Sequence, residues 1–252
     1  TQTPLNEQDL KTMSEAVEVL RQFKGFSYFT EMSDIINRLE DHVASARMKT
    51  TPVIDFEKNE SLKGLDYLDT IYHAIVNEHP IQLKYRSFKA RSANSFIFYP
   101  CLLKEYRNRW FVYGVRGNGR ILQNLALDRI QSLEVLPQEH YIKNTFFDPN
   151  TFFDDLVGVT KNTGSVAEKV GFKVAAAEAP YIITKPIHRS QQVMERLADG
   201  SVILEIEVVI NHELERVFFG YAEGIQVLYP KTLVELMGRK LKKAAEQYTH
   251  SK

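Results

Sequence analysis

Hydrophobic positions follow three rhythms in turn along this chain. From Pro4, suited to a first helical turn, Leu10, Met13, Val17, Leu20 and Phe23 recur at three- and four-residue spacing until Gly25. That spacing predicts an amphipathic helix. Ile35, Ile36, Leu39 and Val43 repeat the pattern over Ser33 to Ser45. Neither helix is a domain alone, so the two are expected to pack on each other, on the next domain, or on a second copy. Thr50-Thr51-Pro52 reads as a connection, and Leu62 to Glu78 predicts a third helix with Leu65, Leu68, Ile71, Ile75 and Val76 inward. Pro80 closes it.

Period-two patterning then takes over. Strands are predicted at Ile81 to Phe88, Phe96 to Tyr106, Arg109 to Val115 and Ile121 to Leu136. Connections as short as Arg107-Asn108, and the turn dipeptide Asn118-Gly119, imply an antiparallel meander. A helix followed by four or five closely linked strands predicts a small SH3-like or Sm-like barrel. Pro100 within the second strand marks an edge or a bulge.

The third rhythm comes after a linker, His140 to Ser165. Strands at Gly171 to Ala177, Ser201 to Ile210 and Ile225 to Tyr229 alternate with helices at Glu213 to Gly220 and from Pro230 onward, the last with Leu233, Leu236, Leu241 and Ala244 inward. Pro180 to Thr184 fits helix or loop. Such alternation in under 90 residues predicts a ferredoxin-like α+β sandwich.

Charge changes the picture in one place. The whole chain is formally neutral, yet between Ile81 and Ile130 ten Lys and Arg face only Glu105 and Asp128. This leaves the stretch about eight units positive. Arginines 107, 109, 116, 120 and 129 flank the chain's only tryptophan, Trp110. A hydrophobic ribbon edged with guanidinium groups suits an anionic or flat ligand, although basic side chains can also simply solvate a barrel's outside. The first 60 residues lean acidic.

Other chemistry is sparse. The seven histidines show no His-Glu-x-x-His spacing, and Gly117 to Gly119 is too short for a phosphate loop. Asp154-Asp155 reads as solvated. Cys101, the single cysteine, excludes an internal disulfide framework and reads as filling a core gap. No catalytic residue, metal or cofactor is therefore expected. No apolar run nears the roughly 18 residues of a membrane span, and no secretory leader is visible, so the expected location is cytoplasmic. Thr1 in place of methionine leads us to expect a piece of a longer chain.

Several segments, in order, resemble bacterial transcriptional regulators that carry a WYL domain. Its Trp-Tyr-Leu signature stands here as Trp110-Phe111-Val112. Around it lie Pro80-Ile81, Tyr85-Arg86-Ser87, Tyr99-Pro100 with Leu102-Leu103, and Leu127-Asp128-Arg129-Ile130. His188-Arg189-Ser190-Gln191 and Val227-Leu228-Tyr229-Pro230 resemble the family's C-terminal extension, WCX. The resemblance covers about 62–250 and implies four parts. These are a helical bridging segment over 1–60, the WYL barrel over 61–140, a linker over 141–165 and a ferredoxin-like WCX extension over 166–252. It also implies a winged helix-turn-helix ahead of them. No unit with a basic recognition helix precedes Leu62, so this chain is expected to be the regulatory part, cut from such a regulator or native without its DNA reader.

The resemblance further implies an effector site on the barrel for a nucleotide or single-stranded nucleic acid, a homodimer, and operator DNA as the partner of the missing reader. Carried onto this sequence, the candidate ligand residues are Tyr85, Ser87, Arg109, Trp110, Arg120 and Arg129. Guanidinium groups grip phosphate, an aromatic face stacks a base, and Tyr85 and Ser87 would share one strand face. Core packing competes for Trp110, and an ion pair with Asp128 for Arg129. The alternative functions are a module docking an acidic protein partner and an enzyme acting on a phosphorylated small molecule.

Overall fold

A computed structural model describes residues 62–249 apart from 118, 120 and 146. The two helices expected before Leu62 lie outside the described residues. The chain divides into two compact units that meet between Phe146 and Phe147.

The first unit opens with a 3-10 turn, Leu65–Tyr67, running into helix α1, Leu68–Val76. Leu68, Ile71 and Ala74 are its buried face. Val76, expected inward, is exposed. Position 74 continues the 68–71 stripe, whereas 76 lies about 200° further around the helix. Five strands come next: β1 (Ile81–Tyr85), β2 (Asn94–Tyr106), β3 (Arg109–Arg116), β4 (Leu122–Ala126) and β5 (Ile130–Val135), in the order β4-β3-β2-β1-β5. Every adjacent pair is antiparallel. Arg107 and Asn108, both at positive φ (50° and 61°), make the two-residue turn that joins β2 to β3.

β4 and β5 sit at opposite edges, four strand spacings apart, about 19 Å if the sheet were flat. Only Leu127–Arg129, a 3-10 turn, joins them, and four Cα steps reach at most about 15 Å. The sheet must therefore curl. The expected barrel is corrected to a curled but open sheet, because no β4–β5 ladder closes it among the described residues. Pro100 lies at a bulge, where the β2–β3 register shifts between Pro100 and Leu102, beyond the end of the β1 pairing at Phe98. A residue without an N–H is tolerated there.

The core of this unit joins Leu68, Ile71, Ile81, Leu83, Phe98, Val112 and Leu127, all within 1% of complete burial. Gly114 is part of that packing. A Cβ there would lie 2.2 Å from the Tyr99 carbonyl oxygen and 2.7 Å from the Phe98 ring. Gly114→Ala should cost roughly 1–3 kcal/mol, read as a lowered urea midpoint; an unchanged midpoint would mean that β2 and β3 are less tightly apposed.

The second unit runs β6 (Glu168–Val174), α2 (Ala179–Thr184), β7 (Gln192–Arg196), β8 (Val202–Val208), α3 (His212–Gly220) and β9 (Ile225–Tyr229), then α4 (Lys231–Thr249). The βαββαβ succession with sheet order β7-β8-β6-β9 is the ferredoxin-like arrangement. Phe172 and Phe218 meet at 5.2 Å in its core beside Ile182, Leu204 and Leu214. On α4 only Leu233 and Met237 are buried; Leu241, expected inward, is 41% exposed.

Much of the expected linker is bonded to this unit. Asp155 O accepts Val209 N–H at 2.8 Å, and Val157 joins the core. Asn211 caps α3 by accepting Leu214 N–H at 2.9 Å, while its amide donates to the carbonyls of Val157 (3.0 Å) and Thr160 (2.9 Å). Asn211→Ala removes all three bonds from a buried place. It should destabilise this unit by about 2–3 kcal/mol, and a loss under about 0.5 kcal/mol in urea unfolding would contradict the role.

Among the described residues no helix is long and apolar enough to cross a membrane.

Candidate anion-binding site

The basic stretch converges where β1 ends, β3 begins and the Leu127–Arg129 turn crosses between the sheet edges. Leu127 is buried and anchors the turn, placing Asp128 and Arg129 beside it, both half-buried. Arg109, first residue of β3, brings its Nε within 3.4 Å of Asp128 Oδ2. Arg129 Nε approaches Asp128 Oδ1 at 3.9 Å. One carboxylate thus stands between two guanidinium groups, giving the trio a net charge of about +1. Asp128 Oδ1 and Arg129 Nε are buried and form no hydrogen bond among the described residues. At 3.9 Å their attraction is electrostatic, and each keeps hydrogen-bonding capacity unused.

Tyr85 closes one side. The β1–β5 register shifts between Lys84 and Tyr85, which brings Tyr85 opposite Ile130. Burial pushes its phenol above the usual tyrosine range, while the Arg129 charge and hydrogen bonds from the Ala126 backbone and Arg129 pull the other way. Burial wins, so the hydroxyl stays a neutral donor through and beyond physiological pH.

The strand ends at Tyr85, three residues short of the expected Phe88. Ser87 therefore sits in a turn and does not share a strand face with Tyr85; its carbonyl accepts Ala90 N–H at 2.9 Å. The next residue is the aromatic partner that the sequence reading missed. Arg129 carries its guanidinium 4.5 Å above the centroid of the Phe88 ring, and that ring is 73% exposed. The available signal was Phe88 itself, a lone aromatic among Arg86, Lys89 and Arg91.

Trp110 alternates with Arg109 across the strand. It shares the face of Val112, which is fully buried, and packs half-buried against the first core. Arg120 lies outside the described residues. Arg116 lies 4.1 Å over Phe96, and Arg107 is 5.5 Å from the Tyr106 centroid, so both are engaged along the ribbon. The structure thus brings Tyr85, Arg109 and Arg129 together with Asp128 and Phe88, and sets Trp110 behind them in the core.

His188 Nδ1 meets Ser190 Oγ at 2.7 Å, Ser190 Oγ accepts Glu207 N–H at 2.8 Å, and Gln191 donates to the Ile182 carbonyl at 2.9 Å. The His188–Gln191 run is therefore a clasp between α2 and β8. Cys101 is part-buried, which pushes its thiol up to about 12, and its Sγ lies 3.4 Å from the Tyr113 carbonyl oxygen. Such a thiol stays protonated and unreactive.

The sequence pattern of the WYL domain matches residues 66–135, and that of the WCX domain matches residues 167–245. No curated protein matches the chain. Among the similar solved structures, proteasome accessory factor B/C (PafBC) of Arthrobacter aurescens is 15% identical over 76% of this chain and 28% of its own, with a TM-score of 0.30. A CRISPR Cas-related protein is 10% identical over 99% of this chain and 88% of its own, with a TM-score of 0.46. The chain spans little more than a quarter of the first. Likenesses at these scores carry no argument about fold or function. The two domain matches do, because the helix-led curled sheet falls within one and the βαββαβ unit within the other. The chain carries a WYL domain followed by a WCX domain.

Proposed function

We propose that this chain is the effector-sensing and dimerising region of a DNA-binding transcriptional regulator, and that it binds an anionic ligand on the first unit. The pairing of a WYL with a WCX domain is typical of regulatory proteins rather than enzymes. The observation that carries the reading is the pair of guanidinium groups, Arg109 and Arg129, sharing the single carboxylate of Asp128. A phosphate brought against them would meet two guanidinium groups gathered by one carboxylate, beside the neutral phenol of Tyr85. The excess of ten cations over two anions across Ile81 to Ile130 would draw such a ligand in. The ligand class is a nucleotide or single-stranded nucleic acid. Binding shifts the balance between arrangements of two subunits and so moves the operator-binding domains they carry.

The test is fluorescence polarisation of labelled short single-stranded DNA and RNA across a salt series. Saturable binding that weakens steeply with salt is expected, because each phosphate held releases condensed counterions. Absence of binding even at low salt would turn the basic face over to an acidic protein partner or to ordinary solvation.

A further inference from the structure

Among the described residues of the first unit, no large hydrophobic side chain is more exposed than Phe88. A phenylalanine left in water forfeits the transfer free energy that burial returns. The turn that carries it is nevertheless well built. Ser87 O accepts Ala90 N–H, Arg86 Nε donates to the Ala90 carbonyl at 3.4 Å, and Arg86 N–H bonds the Arg129 carbonyl at 3.1 Å. These bonds tie the turn to the residue whose guanidinium covers the ring. One face of Phe88 is thus occupied by Arg129, and the ring presents the rest of its surface to solvent.

Arg129 works in two directions. Its Nε is turned inward to Asp128, the rest of the guanidinium is left for the phosphate proposed above, and its carbon lies 4.5 Å over the Phe88 ring. A ligand carrying a flat ring a short covalent distance from an anion can use both at once. A bare phosphate can use only the first. We infer that Phe88 is the specificity-determining residue of the site, stacking a nucleobase while Arg109 and Arg129 hold the adjoining phosphate. This rests on the anionic-ligand reading above and deepens it by naming the residue that takes the base. Stacking accepts any base, since each has a π face, so the selection is for a base and not for a sequence.

Two labelled DNA oligomers of equal length separate the contributions, one natural and one with every base replaced by an abasic sugar. The wild-type chain is expected to bind the natural oligomer more tightly. Phe88→Ala should weaken the natural oligomer roughly tenfold, the effect of one stacked base, and leave the abasic one unchanged. Phe88→Trp should restore the preference, whereas Arg129→Ala should weaken both oligomers. Equal losses for the two oligomers in Phe88→Ala, or no loss for either, would overturn the role given to Phe88. If neither oligomer binds the wild-type chain, the anionic-ligand reading itself fails.

Discussion

Arg129→Ala is expected to lower affinity for a single-stranded oligonucleotide by roughly 10- to 100-fold while leaving the fold intact, the worth of one charge-assisted hydrogen-bonded contact. The size reflects how Arg129 is held. Its side chain is 28% exposed, so a phosphate reaching it stands in a partly dehydrated place where the contact is stronger than on open surface. Arg109, at 45% exposure, should matter less. The stability change should stay within about 1 kcal/mol, because Asp128 keeps Arg109 at 3.4 Å after the substitution. Losing one phosphate contact should also flatten the salt dependence by about 0.7 in log–log slope. Arg129→Lys separates geometry from charge: the cation remains but the planar fork is lost, so affinity should fall by an intermediate amount with the slope unchanged. Wild-type affinity in Arg129→Ala, with a wild-type melting curve, would remove this residue from the site.

The parts of the molecule that were legible in the sequence are those where a local pattern and a tertiary need coincide. β3 was readable because aromatic and β-branched residues run from Arg109 onward, bounded by the Arg107-Asn108 turn. The ferredoxin-like order was legible from alternation, with β9 bounded by Gly224 and Pro230. β7 was not readable, since all five of its residues are exposed and it carries no buried period. Its place is set by the ladder to β8, a partner contact with no local signature. The Leu127–Arg129 turn was hidden for the opposite reason. Leu125, Leu127 and Ile130 are all buried, so the apolar pattern runs through the turn as though a single strand continued.

The candidate site divides in the same way. Arg109 and Arg129 were visible as charge, and the ion pair with Asp128 that competed as an explanation for Arg129 is present in the geometry. The approach of Arg109 to the same carboxylate is known only from the fold. Trp110 was the obvious aromatic, yet strand alternation turns it toward Val112 and the core. Phe88 replaces it at the surface because β1 stops at Tyr85, where its register with β5 shifts. One bulge thus redistributes the aromatic and hydroxyl groups that alternation alone would have placed on a common face.

Gly64→Ala should be among the most damaging single changes to the first unit, and its damage should reach the site. Gly64 precedes the Leu65–Tyr67 turn at φ +84°, a backbone conformation that costs a residue with a Cβ of the order of 1–3 kcal/mol. A Cβ there would also lie 2.4 Å from the Leu127 carbonyl carbon and oxygen and 2.6 Å from Asp128 N. These are backbone atoms, so no rotamer change relieves the contact. Either the start of α1 lifts away or the turn carrying Asp128 and Arg129 moves. Tyr67 Oη donates to the Gln131 carbonyl at 3.2 Å and resists the first escape. The turn is thus the part expected to yield, pulling Asp128 out from between the two arginines. Gly164→Ala is the matched control, with φ +81° and no atom within 4 Å of the new Cβ. Gly64→Ala should lose more stability than this control in urea unfolding and should also weaken oligonucleotide binding, which the control should not touch. Equal losses in the two variants would mean that conformational strain is the whole effect and that Gly64 does not brace the site. A larger loss from Gly64→Ala with binding unchanged would mean that the start of α1 gives way instead.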